Sequence, residues 1–151
     1  MQGLQRRNPS HPLVGVGAVV LHGSRVLLVR RANPPRQGEW SLPGGLQHLG
    51  ETVAEAAYRE VKEETGVDVR VLGLVDVVDL IEYDAVGVTV RFHFTLVELV
   101  AIWLRGNVVA GEDAAEAAWF DLDGLASLNM WSETIRIIEL AHKVWTEAGR
   151  P

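Results

Sequence analysis

The stretch Gly45-Leu46-Gln47-His48-Leu49-Gly50-Glu51-Thr52-Val53-Ala54-Glu55-Ala56-Ala57-Tyr58-Arg59-Glu60-Val61-Lys62-Glu63-Glu64-Thr65-Gly66-Val67 decides how this chain folds. Within it, Thr52-Val53-Ala54-Glu55 is a capping box: the Thr hydroxyl satisfies a free helix N–H and the Glu carboxylate reaches back to the cap. Gly66 is a C-terminal stop, a residue that enters the left-handed conformation without a Cβ penalty. Together these signals predict a helix from Val53 to Thr65. At about 100° per residue, Ala54, Ala57, Tyr58, Val61 and Thr65 share one arc and form the expected buried stripe. Glu60, Glu63 and Glu64 share another, because positions three and four apart lie on one helix face.

Gathering those carboxylates is locally unfavourable. Like charges one turn apart repel by a few tenths of a kcal/mol, and acids in a helix's last turn oppose its dipole. A divalent cation with oxygen ligands reverses the sign of both effects. Magnesium suits such a site, since it takes one or two carboxylates, keeps several waters and bridges to phosphates. A Glu-rich helix face is otherwise a solvated surface.

Outward from the helix, the pattern is mostly strand. Residues 14–21 and 25–31 are apolar runs joined by His22-Gly23-Ser24, a hairpin connection. Residues 32–38 are a loop of turn formers, Trp40-Ser41-Leu42 is a short extended piece, and Pro43-Gly44-Gly45 is a break before the helix. Downstream, residues 69–80 are rich in β-branched side chains. Residues 86–99 alternate Val88, Val90, Phe92 and Phe94, and residues 117–120 form a last short strand. A shorter helix covers residues 122–128. A second amphipathic helix covers 131–148, with Ile137, Ile138, Ala141, Val144, Trp145 and Ala148 at helical spacing. Strands dominate, so the class is α+β, with a mixed sheet between helices. One domain over residues 1–151 is expected, its first 11 residues a flexible segment.

Composition narrows the function classes. With no cysteine in 151 residues, thiol catalysis, disulfides and cysteine-bound zinc are excluded. No run reaches the roughly 18 apolar residues of a membrane span, and the N-terminus lacks a signal peptide's apolar core. A cytoplasmic protein without a membrane partner is the expectation. The net charge of −6 is uneven: residues 1–40 hold six arginines and only Glu39 as acid, net +5, leaving −11 for the rest. An acidic body argues against nucleic-acid binding. A basic segment beside a carboxylate cluster suits a small phosphate-bearing substrate.

The spacing Gly45, Glu51, Arg59-Glu60, Val61, Glu63-Glu64, Gly66 and Val67 resembles the signature of the Nudix (MutT-like) hydrolases at every position it specifies. The resemblance implies an α/β/α sandwich with a mixed β-sheet and the motif as a loop–helix–loop at one sheet edge. It implies hydrolysis of a diphosphate linked to another group, with magnesium or manganese as substitute and water as nucleophile. It makes Glu60 and Glu64 the metal ligands, with the Gly45 carbonyl beside them and Glu63 either a ligand or the base for water. Arg59 would orient a catalytic carboxylate and Glu51 would lock that geometry. A further carboxylate is expected from the loop before the last strand, Glu112 first and Asp113 second.

Substrate contacts are expected from Trp40, whose indole can stack on a base or sugar, and from Arg30 or Arg31. These two arginines alternate faces on their strand, so at most one points to the site. His48 stands in the motif loop where many relatives carry Glu. The pattern of residues 14–20, 26–31 and 40–45 looks like an ADP-ribose pyrophosphatase-like subgroup, which implies ADP-ribose or a related nucleotide sugar. The proline that marks many such enzymes downstream is absent. Tyr83 resembles the tyrosine of dinucleoside polyphosphate hydrolases, and oxidised nucleoside triphosphates are a third substrate class. A non-catalytic nucleotide-sensing module is the alternative of another kind, although all motif carboxylates are kept. The resemblance also admits a homodimer.

Overall fold

The computed structural model describes residues 6–147; the start of the N-terminal segment and Ala148 lie outside them. Seven strands form one mixed sheet: β1 (Leu13–His22), β2 (Arg25–Arg31), β3 (Trp40–Ser41), β4 (Gly44–Leu46), β5 (Asp68–Tyr83), β6 (Val90–Arg105) and β7 (Ala114–Asp121). Helix α1 (Val53–Thr65) follows β4, and α2 (Ser132–Glu147) follows a 3-10 helix over Leu122–Leu128. No helix among the described residues is long and apolar enough to cross a membrane.

β1 is the pivot. It runs parallel to β6 from Leu13 to Leu21 and antiparallel to β2 only at its far end, Leu21 to Val26 and His22 to Arg25. Its near end, Gly15 to Gly17, pairs instead with β4. The strands β1 and β2 therefore splay apart, and the short strand β4 fills the opening on the β1 side. β2 continues the sheet through β3 and β7, while β5 closes the other side against β6. Strand alternation sorts the core into two layers. Val16, Ala18 and Val20 pack with Ala56, Ala57 and Val61 of α1. Val19 and Leu21 face the other way and pack with Ile137, Ile138 and Ala141 of α2. This is the expected helix–sheet–helix sandwich.

The sequence places a break at Pro43-Gly44-Gly45, yet Gly44 and Gly45 are strand residues. Glycine makes the pairing possible: a Cβ on Gly44 would overlap the Val16 carbonyl oxygen and lie 2.9 Å from the Gly17 Cα. Gly44→Ala should therefore push β4 off β1. Overpacking of this kind costs about 1–3 kcal/mol, read as a lower midpoint in urea unfolding. A midpoint equal to the parent's would mean that β4 is free to move.

Helix α1 begins and ends where expected, with the Thr52–Glu55 capping box formed and Gly66 in the left-handed region at φ 77°. Its buried face is the expected one only in part: Ala57, Val61 and Thr65 are inside as expected. Ala54 and Tyr58 are exposed, whereas Ala56, Ala57, Val61, Glu64 and Thr65 are buried. The Tyr58 hydroxyl donates to Asp68 at 2.8 Å, which keeps that ring at the surface. The helix is thus rolled so that its glutamate edge faces inward.

Candidate active site

A cavity of about 480 Å³ opens in the splay between β1 and β2. One wall is Gly44 and Gly45 of β4 with Glu60 and Glu64 from α1; others are Arg31, Trp40 and Asp113. Glu60 lies so close to Gly45 that a Cβ there would sit 2.5 Å from its carboxylate. Glu64 accepts a hydrogen bond from the Gly44 N–H at 2.7 Å. Both carboxylates are held out of water. Burial pushes Glu64 up to about 8, with Glu60 and Asp113 adding to the effect and the Gly44 N–H and Arg31 opposing it. Burial also raises Glu60, against the pull of Arg59.

Arg59 is the organiser behind this wall. Its guanidinium donates to both oxygens of Glu51, Nε to Oε2 at 2.6 Å and Nη2 to Oε1 at 3.0 Å. Nη2 also donates to the Leu46 carbonyl at 3.0 Å. Nη1 bridges Glu60 at 2.7 Å and Glu63 at 3.2 Å. The Arg59 bond and the His48 N–H hold Glu51 down at about 2, so it stays ionised. One arginine thus ties the loop, the helix start and two helix carboxylates into a single unit.

Several expected residues stand elsewhere. Glu63 lies about 100° round the helix from Glu64, and its side chain is 56% exposed. Among the described residues no three acid or imidazole groups converge as a metal cage; the pair Glu60 and Glu64 faces the cavity without Glu63. Arg30 points away and pairs with Glu116 at 2.7 Å, whereas Arg31 lines the cavity, as strand alternation requires. Of the two loop acids, Asp113 reaches the cavity and Glu112 does not. Gly111 packs directly on the last turn of α1, its N–H bonded to the Glu64 carbonyl at 2.9 Å, and this fixes the direction of the loop. Trp40 lines the cavity and also packs edge-on against Phe120 at 4.8 Å. His48 and Tyr83 are exposed and do not line it.

One cavity residue escaped the sequence reading altogether. Glu98 on β6 is buried at 6% exposure and lines the cavity opposite Gly17. The available signal was a single acid within the apolar run Leu96–Leu104, where a strand buried on both faces should carry none.

The NUDIX domain family model matches residues 11–141 of the chain. The ADP-ribose pyrophosphatase of Methanocaldococcus jannaschii is 38% identical over 125 residues, which are 83% of this chain and 71% of that protein. An 8-oxo-dGDP phosphatase of Mus musculus is 30% identical over 127 residues, 83% of this chain but 37% of the mouse protein. Among solved structures, a MutT NUDIX hydrolase from Burkholderia pseudomallei superposes with a TM-score of 0.74 at 32% identity, covering 87% of this chain and 98% of the other. With its motif helix, carboxylate pair and sandwich in place, the chain belongs to the Nudix hydrolases and is a pyrophosphohydrolase.

Proposed function

We propose that this chain hydrolyses a nucleoside diphosphate linked to a sugar, ADP-ribose or a related compound, to a mononucleotide and a sugar phosphate. Nudix hydrolases generally use divalent metal ions and act on small nucleotides. One observation carries the metal assignment: Glu60 and Glu64, one helical turn apart, are both desolvated at the same cavity wall. Such a pair is costly unless neutralised, and its donor chemistry, two carboxylates beside the Gly45 carbonyl, fits magnesium. When bound, the ion would neutralise phosphate oxygens and lower the pKa of water.

The chain's own residues do the rest. Arg59 and Glu51 hold the Glu60 carboxylate in place, and Arg31 presents a cation to the diphosphate across the cavity. Asp113, the loop acid that lines the cavity, takes a proton from the attacking water at its carboxylate oxygen in this reading, a role first expected of Glu112. Trp40 offers a ring face to the base or sugar. The preference for a nucleotide sugar is supported by the ADP-ribose pyrophosphatase relative, which this chain matches over most of both lengths.

A substrate panel with product identification tests the reading, with ADP-ribose, other nucleotide sugars, dinucleoside polyphosphates and oxidised nucleoside di- and triphosphates. Turnover of nucleotide sugars with magnesium is expected. No turnover of any compound with magnesium or manganese would favour a nucleotide-sensing module. Turnover of oxidised nucleotides alone would shift the substrate to that of the mouse relative and leave the metal chemistry standing.

A further inference from the structure

We propose that Glu98 reads the N–H edge of the substrate's nucleobase and so sets base specificity. The proposal rests on the nucleotide substrate argued above and adds the residue that selects it. Gly17 and Glu98 are register partners on parallel strands. A Cβ on Gly17 would lie 2.7 Å from Glu98 Oε2 and 2.9 Å from Oε1, so the bare Cα makes the space that the carboxyl group fills. Leu96, two residues earlier, shares its face of β6 and lines the same cavity, with Val78, Leu80, Trp40 and Trp131 as further apolar walls. A carboxyl group is thus set beside apolar walls within a cavity whose whole volume, about 480 Å³, can take a nucleotide.

Among the described residues, Glu98 has no hydrogen-bond or ion-pair partner. Burial alone raises its proton affinity; no neighbouring charge contributes. It therefore stands apart from the Glu60–Glu64 pair, which is electrostatically coupled and enters from the α1 side. A carboxyl group desolvated without a protein partner destabilises the fold. A ligand that brings N–H donors removes that penalty on binding, and the amino or imide edge of a base is such a group inside a nucleotide. A substrate whose base lacks the matching donors would leave the carboxyl unpaired, the situation in which buried polar sites discriminate most strongly.

Binding measured by calorimetry in chelator tests this without any need for turnover. The probes are AMP, GMP, CMP, UMP and ribose 5-phosphate, with the parent, Glu98→Leu and Glu98→Gln. The parent should spread the four nucleotides over at least roughly tenfold in affinity. Glu98→Leu should compress that spread to within about threefold, leave ribose 5-phosphate binding unchanged, and raise the ligand-free melting temperature by roughly 2–4 °C. Glu98→Gln, with one donor and one acceptor in place of two acceptors, should keep a spread but change its ranking. The proposal falls if the parent shows no base preference, if both variants keep the parent's ranking, or if ribose 5-phosphate binding falls with the rest. Hydrolysis is measured separately. Base-selective binding without turnover would overturn the proposed reaction and leave Glu98 its role; turnover with equal kcat/KM for all bases would do the reverse.

Discussion

Replacing Glu64 with glutamine is expected to slow magnesium-dependent hydrolysis roughly 10³-fold, the equivalent of about 4 kcal/mol of lost charge stabilisation, and to leave the metal-free fold intact. The amide keeps an oxygen that can accept the Gly44 N–H, now at 2.7 Å from Glu64 Oε1. What it loses is the negative charge that Glu64 can offer a cation beside Glu60 on the same cavity wall. Magnesium should raise the parent's melting temperature by mass action and the variant's much less. The checks are kcat/KM and thermal melts with and without chelator. A loss below tenfold, or a variant that melts well below the parent in chelator, would make Glu64 a structural residue.

The second large effect is on stability against pH. In chelator, the parent should become less stable as the pH rises from about 4.5 to about 8. The sign follows from Glu64: unfolded, it releases its proton near 4.5; folded, near 8. Between those values the native state holds a proton that the unfolded state has given up, so raising the pH favours unfolding. The stabilisation is whole below the lower value and gone above the upper one, on the order of several kcal/mol. Burial of Glu98, at about 7, acts in the same direction. Glu51 acts oppositely but only at acid pH, since it is held at about 2. Glu64→Gln should flatten most of the slope, and above pH 8 it should be more stable than the parent. Urea unfolding at pH 5, 6.5, 8 and 9 reads this out. Equal stability of the parent at pH 5 and 9 would mean that the carboxylates are solvated and not gathered for a cation.

Much of this is legible in the sequence, because the information is local. The capping box and Gly66 bound α1 to the residue, and the splitting of Arg30 from Arg31 needed only strand alternation. The errors have a common cause. Helix spacing says which residues share a face, but not which face the sheet covers. Ala54 and Tyr58 were expected inside, and the packing of α1 on β4 and β5 turned Glu64 inward instead. The choice of Asp113 over Glu112 depends on how Gly111 sits on α1, a contact between segments nearly fifty residues apart. Glu98 was missed for the same reason: its partner in the fold, Gly17, is remote in sequence.

The parallel pairing of β1 with β6 also orders events during synthesis. A chain leaving the ribosome N-terminus first presents β1, whose residues Ala18, Val19 and Val20 are wholly buried in the finished sheet, about eighty residues before its long partner emerges. Meanwhile the β2 hairpin and the small β4 strand can pair with only part of its length, and α1 can cover only the face that carries Val16, Ala18 and Val20. Closing so long a loop is slow. The helix carrying Glu60 and Glu64 is capped by its own neighbours and can form early, so a nascent chain acquires its acidic wall well before the recess that holds Glu98. Translation arrested near residue 90 would leave a half-built hydrolase whose apolar first strand lacks its β6 edge and its α2 cover, a ready client for chaperones.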